Sequence, residues 1–241
     1  MLIECERHTG KDLSLFYEMF EADKINFNLL KVMNKERKAI EIIKEFYNQH
    51  NGKIYCAVSW GKDSVVTADL CIKTKLNIPL IWIKVKPIFN PYCELVRDLF
   101  LLNDIQYKEY EIKCLIDNNN NVHAKGTLEK GFNKAVDEFG ENYITGIRSE
   151  ESAIRTLRSK VYGTTSIKTC APINYWKYED IFAYLAYYNL PIHPNYAMLG
   201  DGRYNRKNIR VASLGGKRGR ERGRYEWEKE YYSDYIRLWE E

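Results

Sequence analysis

Ile54-Tyr55-Cys56-Ala57-Val58-Ser59-Trp60-Gly61-Lys62-Asp63-Ser64-Val65-Val66 is the stretch whose reading decides the fold. A short apolar run ends at Ser59, a turn carrying Gly61 follows at once, and apolar residues resume as a helix from Val65 to Lys75. A buried strand that feeds a tight turn and then a helix leaves backbone N–H groups free at the helix start, where they favour an anion. Gly61 permits a conformation or a close approach that a Cβ would block. Ser59 and Ser64 offer hydroxyls and Lys62 a cation. Asp63 is the odd member: beside phosphate it needs a metal or a hydrogen bond, so it either holds Mg²⁺ or fixes the loop. The spacing is neither a Walker A loop, since Cys56 stands at the position of the first glycine and Asp63 follows Lys62, nor Gly-x-Gly-x-x-Gly. An ordinary strand-to-helix turn with a capping serine is the plain alternative.

Working outward, helical spacing of Ala39, Ile40, Ile43, Phe46 and Tyr47 predicts that residues 1–52 are a helical N-terminal region, closed by Asn51-Gly52. Further strands are expected at Leu80–Ile83, Tyr107–Ile112 and Tyr143–Ile147, and helices at Pro91–Leu102, Leu128–Phe139, Glu150–Arg158 and Tyr178–Tyr188. Such alternation implies an α/β fold, a mainly parallel sheet flanked by helices. Ligands bind such sheets at the carboxyl ends of the strands. The segments Ser59–Ser64 and Gly146–Arg155 both begin at predicted strand ends, so they are expected to meet in one pocket. Residues 53–200 form the nucleotide-binding domain in this reading, and 201–241 a basic C-terminal extension that packs on the domain or over its site.

The chain has 241 residues, 45% of them hydrophobic, enough for a real core. It has no run long enough to span a membrane, and its first residues lack the layout of a signal peptide, so the cytoplasm is the expected compartment. Six cysteines are scattered without a Cys-x-x-Cys pair, which argues against a zinc ribbon; Cys56 and Cys71 are expected to be buried. Net charge is +4, but Arg203 to Arg224 holds nine Arg or Lys and one acid, Glu221. That segment is +8 and the remainder −4. Three readings of it stay open: closure over nucleotide phosphates, with Lys217 and Arg218 among the contacts; a nucleic-acid backbone contact; or a solvated basic loop. Tyr225 and Trp227 beside it would stack on bases or pack the last helix.

Ser59 to Ser64 resembles the Ser-Gly-Gly-x-Asp-Ser signature of the PP-loop ATP pyrophosphatases. Within that superfamily the chain is most similar to the phosphoadenosine phosphosulfate (PAPS) reductase family, including its DNA-phosphorothioation relatives. Three more segments carry the resemblance: Thr145 to Arg155, Pro172 to Tyr184 with Trp176 and Asp180, and Leu190 to Tyr196. It covers about residues 53–200. It implies an adenine-nucleotide α-hydrolase-like fold, ATP as ligand, and cleavage between the α and β phosphates. The chain departs from the pattern in three places. Trp60 replaces the first glycine. Lys84, Val85 and Lys86 follow the second strand where an acid is usual. No Cys follows Cys170, so the thiolate nucleophile of the sulfonucleotide reductases is missing.

Arg148 and Arg155 lie seven residues apart and would share a face if the intervening chain were helical. Both suit phosphate; ion pairs with Glu150 or Glu151 are the alternative. Trp176, Asp180 and Tyr184 read as a packing stripe, and His193 has no second ligand at metal spacing. The expected function is an ATP-dependent adenylating enzyme acting on an unidentified acceptor with Mg²⁺. Ser59, Trp60, Gly61, Lys62, Asp63, Ser64, Gly146, Arg148 and Arg155 are its nucleotide contacts, and Lys62, Asp63 and Arg148 carry its chemistry. The alternatives are a PAPS or adenylylsulfate reductase, and a nucleotide-binding partner in a nucleic-acid-modifying complex. Assembly as a homo-oligomer is left open.

Overall fold

The computed structural model describes residues 1–25, 29–86, 91–101, 105–113, 124–211, 214 and 224–235. Two helices, α1 (Gly10–Ile25) and α2 (Leu29–Gln49), precede the sheet. The order then runs β1 (Ile54–Val58), α3 (Lys62–Lys73), β2 (Leu80–Lys86), α4 (Cys93–Phe100), β3 (Tyr107–Lys113), α5 (Ala124–Phe139), β4 (Asn142–Thr145), α6 (Ala153–Tyr162), β5 (Thr169–Cys170), α7 (Tyr178–Tyr187) and α8 (Tyr225–Tyr231). The five strands pair in parallel in the order β3-β2-β1-β4-β5.

Strand composition follows position in that sheet. β1 is central and almost wholly buried, which is why it reads as an unbroken apolar run. β3 lies at an edge and mixes Lys, Glu and Tyr over a half-exposed surface. The main core joins β1 to α1, α2, α3 and α7 through Phe16, Phe46, Val66, Leu70 and Phe182, so the N-terminal helices share one core with the sheet. A smaller cluster of Tyr55, Ile81 and Ala135 seals the opposite face under α5. α2 ends as expected, with Asn51 and Gly52 at φ 50° and 75°.

Two expectations need correction. The predicted helix Glu150–Arg158 is broken: Ser149–Glu151 is a 3₁₀ turn, Ser152 is extended at φ −166° and ψ 156°, and α6 begins only at Ala153. The Ser152 hydroxyl caps α6 by accepting from the Arg155 N–H at 3.3 Å. Arg148 and Arg155 therefore do not share a helix face. β4 also stops at Thr145, short of Ile147, because the chain turns there to pass the loop after β1.

The C-terminal extension packs back on the domain wherever it is described. Arg206 is buried, pairs with Asp23 at 2.8 Å, and lies over the Phe182 ring. Trp227 is buried and donates its indole N–H to the Met198 carbonyl at 2.9 Å, which is the packing alternative of its two readings and not the base-stacking one. No helix among the described residues is long and apolar enough to cross a membrane.

Candidate functional site

The loop between β1 and α3 is closed by its own serines. Ser59 N–H donates to the Ser64 hydroxyl at 3.2 Å, and that hydroxyl donates to the Gly61 carbonyl at 3.0 Å. Lys62 N–H donates to the Tyr196 hydroxyl at 3.2 Å. The N–H groups of Gly61, Asp63 and Ser64 meet no acceptor among the described residues. A helix of 12 residues thus presents its positive end to the loop with amides to spare.

Trp60 answers how this turn forms without its first glycine. It takes φ 60°, the left-handed conformation that glycine adopts at least cost. Its side chain is fully buried, with ring centroids 5.7 Å from Phe100, 5.8 Å from Tyr107 and 6.4 Å from Trp82. Burial of the indole offsets the backbone strain and anchors the loop in the core.

Gly146 explains how β4 reaches the loop. A Cβ there would stand 2.8 Å from the Asp63 carbonyl carbon and oxygen and 3.0 Å from the Ser64 nitrogen. Only glycine permits that approach, and it delivers Arg148 to the loop. Arg148 is buried; its Nε donates to Asp63 at 2.6 Å, and its Nη1 to Glu150 at 2.8 Å. Asp63 also accepts from Lys62 Nζ at 2.7 Å. The two motifs therefore meet at Asp63, which accepts from both Arg148 and Lys62. No group of three or more His, Cys, Asp or Glu suited to a metal occurs among the described residues.

A small polar pocket opens here, lined by Lys62, Arg148, Glu150, Glu151, Lys207, Asn208 and Arg210. Lys207 Nζ lies 2.8 Å from Glu150, and Arg210 donates to the Glu151 carbonyl at 3.0 Å. Partial burial opposes ionisation of Glu150. Hydrogen bonds from Lys207, the Tyr178 N–H and Arg148 outweigh it and hold the carboxyl down at about 2. Arg155 pairs with Glu151 and lines a separate groove beyond it. Ser59, Trp60, Gly61 and Ser64 build the loop at the mouth of this pocket without lining it.

Part of the basic segment therefore does reach the site, through Lys207 and Arg210. The contacts expected of Lys217 and Arg218 lie outside the described residues. The sequence reading weighted the densest charge run and passed over this flank. Tyr196, which closes the Leu190–Tyr196 segment, was also missed as a loop partner; its ring lies 5.4 Å from Lys62 Nζ. The lysines after Ile83 are neutralised locally. Lys84 pairs with Glu94 and Glu109, and Lys86 with Glu111, so acids from α4 and β3 gather where β2 itself has none.

The remaining candidates are structural. Trp176 and Tyr184 pack edge to face at 5.5 Å, and Asp180 caps α7 by accepting from Lys177 N–H at 2.7 Å. Cys56, Cys71 and Cys170 are buried, and burial, with the neighbouring Cys56, pushes the Cys170 thiol well up.

Residues 53–206 match the family model described as the phosphoadenosine phosphosulfate reductase domain. An adenosine 5'-phosphosulfate reductase of Lysinibacillus sphaericus is 24% identical over 197 residues, spanning 75% of this chain and 82% of that one. Among solved structures, the PAPS reductase of Candida auris in its phosphate complex superposes with a TM-score of 0.50 at 16% identity, covering 74% of this chain and 93% of its own. The FMN adenylyltransferase of Candida glabrata with FMN and an ATP analogue gives 0.52 at 17% identity, covering 78% and 70%. Both share the adenine-nucleotide α-hydrolase-like fold seen here.

Proposed function

The chain belongs to the phosphoadenosine phosphosulfate reductase domain family, a PP-loop nucleotide-binding enzyme family, and from that premise we propose that it binds ATP and adenylates an acceptor. The observation that carries the reading is the pocket itself. Lys62, Arg148, Lys207 and Arg210 converge beside a helix N-terminus whose amides are free, and such a site suits a chain of phosphates. The carboxylates of Asp63 and Glu150 hold Lys62, Arg148 and Lys207, and the Glu151 carbonyl holds Arg210, until phosphate oxygens take them over.

In the proposed reaction an acceptor oxygen attacks the α-phosphorus of ATP. The bond from that phosphorus to the α–β bridging oxygen breaks, and pyrophosphate leaves with the electron pair. Lys62 and the loop amides grip the leaving phosphates, and Arg148, with Lys207 and Arg210, offsets the charge that develops on them. Mg²⁺ would neutralise phosphate oxygens, and Asp63, whose two oxygens here accept from Arg148 and Lys62, would share it once phosphate draws those cations away. One carboxylate suffices for a metal held mainly by phosphates. The Candida glabrata enzyme bound to an ATP analogue is consistent with this chemistry on the same fold.

Sulfonucleotide reduction fits less well. It needs an accessible thiolate, and Cys170, the candidate substitute, is buried with its thiol pushed up.

Isothermal titration with ATP and Mg²⁺ tests the proposal. Lys62→Ala combined with Ser64→Ala removes charge-assisted bonds worth roughly 1.5–3 kcal/mol each, so affinity should fall at least ~10-fold. Equal binding by both proteins would refute it.

A further inference from the structure

The surface beside the pocket carries an unusual charge distribution. From Ser152 to Lys177 there are five Lys or Arg and no Asp or Glu. Arg158, Lys160, Lys168 and Lys177 are exposed, and of these Lys168 pairs with Glu141. Between α6 and the turn that enters β5 lies a groove lined by Arg155, Arg158, Tyr162, Thr164, Ser166 and Thr169. Tyr162 and Tyr175 are each 59% exposed, and Tyr175 is fixed at its far end by donating its hydroxyl to the Ser159 carbonyl at 3.2 Å. Arg155, Arg158 and Tyr162 of α6 thus face the hydroxyls of Thr164, Ser166 and Thr169 across the groove, with Tyr175 exposed nearby on the chain after β5.

We propose that this groove seats a single-stranded nucleic acid, and that the strand is the acceptor presented to the neighbouring pocket. The proposal rests on reading that pocket as the ATP site. The geometric link is Glu151: its side chain pairs with Arg155 on the groove side, while its carbonyl accepts from Arg210 on the pocket side. A row of cations therefore runs from Arg158 and Arg155 to Arg210 and Lys207, with Glu151 and Glu150 pairing Arg155 and Lys207 along it. α6 has 10 residues and is about 15 Å long at 1.5 Å per residue, more than a single small anion would occupy.

A strand supplies both matches that the surface asks for. Its phosphates suit the arginines and hydroxyls, and its bases suit the tyrosine faces. The exposed ridge of Ile154, Leu157 and Val161 on the same helix offers apolar contact to sugars and base edges. A second copy of this chain would bring cations against cations. An acidic protein would satisfy the charge and the ridge but would leave the hydroxyls and ring faces without a specific role.

The experiment is fluorescence anisotropy with a labelled single-stranded oligothymidylate at several salt concentrations, competed by polyglutamate of matched charge. Wild-type protein should bind, and binding should weaken as salt rises because phosphate contacts release counterions. Arg158→Glu with Lys160→Glu should lower affinity at least ~10-fold and reduce the salt slope by roughly 0.7 per lost phosphate contact. Tyr162→Ala should cost about fivefold or more through lost stacking. All three side chains are exposed, so the variants should keep the wild-type melting temperature and the wild-type affinity for ATP. Lys62→Ala with Ser64→Ala should lose ATP yet keep the oligonucleotide, which separates failure of the nucleotide site from failure of the groove. No binding, binding indifferent to the α6 substitutions, or equal competition by polyglutamate would overturn the proposal, the last in favour of an acidic protein partner.

Discussion

Arg148 and Asp63 are 85 residues apart in sequence and 2.6 Å apart in space, joined Nε to Oδ1. This contact ties the chain after β4 to the loop between β1 and α3 and leaves Nη1 on Glu150. Arg148→Ala should lose both a proposed phosphate ligand and the clamp, lowering ATP affinity at least ~10-fold by the worth of a charge-assisted bond. Asp63→Asn keeps the shape and removes the charge, so it should weaken ATP less than Arg148→Ala does. A double-mutant cycle on ATP affinity should give a coupling energy of about 1 kcal/mol or more between the two sites. Strict additivity would show that the pair acts independently.

Gly146→Ala places a methyl group against the backbone of Asp63 and Ser64, atoms that cannot rotate away. We expect overpacking to cost about 1–3 kcal/mol, or roughly 2–4 °C of melting temperature per kcal/mol in a chain of this size. ATP affinity should fall with it, because the loop must shift. A variant that melts and binds like the wild type would mean that β4 does not press on the loop in solution.

These two contacts mark how far the sequence could be read. The boundaries of β1 were legible because a central strand is apolar on both faces, and the turn was legible from its hydroxyls, glycine and lysine. The pairing of Arg148 with Arg155 was not. Spacing of seven residues assumes an unbroken helix, and Ser152 is extended because capping α6 satisfies the Arg155 N–H there. The roles of Lys207 and Arg210 were hidden for another reason. Charge runs show where cations are dense, whereas what seats these two is the neighbouring Arg206, buried against Phe182 and Asp23. No periodicity announces a single buried arginine.

Trp60→Gly restores the residue usual in the resembled signature and should still destabilise the protein. Relief of the left-handed strain is worth roughly 1–2 kcal/mol. Deleting a fully buried aromatic side chain costs about 3–5 kcal/mol. Packing wins, and a net loss of about 1–4 kcal/mol is expected in urea unfolding. A more stable variant would show that the aromatic cluster of Phe100, Tyr107 and Trp82 does not anchor the loop.

His193 is fully buried, and its Nδ1 accepts from the Asn195 N–H at 3.1 Å, so the ring is neutral. Burial, with a smaller repulsion from His8, pushes its pKa from 6.5 down to about 3. Between those values the unfolded chain takes up a proton that the folded chain cannot. The stabilising effect of the neutral ring is therefore complete above pH 6.5 and is lost as pH falls towards 3. His193→Gln removes the titration. Its unfolding free energy should fall with acid by about 1.4 kcal/mol per pH unit less than that of the wild type between pH 6 and 4. Parallel slopes would place the titration elsewhere.

Cys5 is the described thiol set apart by its surroundings. It is half-buried, whereas Cys56, Cys71, Cys93 and Cys170 are buried. Burial opposes ionisation of Cys5, but hydrogen bonding to His8, the Arg7 backbone and Tyr92 outweighs it and lowers the thiol below its ordinary value. Burial instead raises Cys71, Cys93 and Cys170. The thiolate is the reacting form, so iodoacetamide at neutral pH should modify Cys5 before Cys71, Cys93 or Cys170 in the folded protein. His8→Ala withdraws a partner of the thiolate and should slow that reaction and shift its pH profile upward. Peptide mapping by mass spectrometry over a time course reads both effects. Labelling of Cys93 or Cys170 ahead of Cys5, with the protein still folded by circular dichroism, would show that exposure and charge do not rank these thiols as argued.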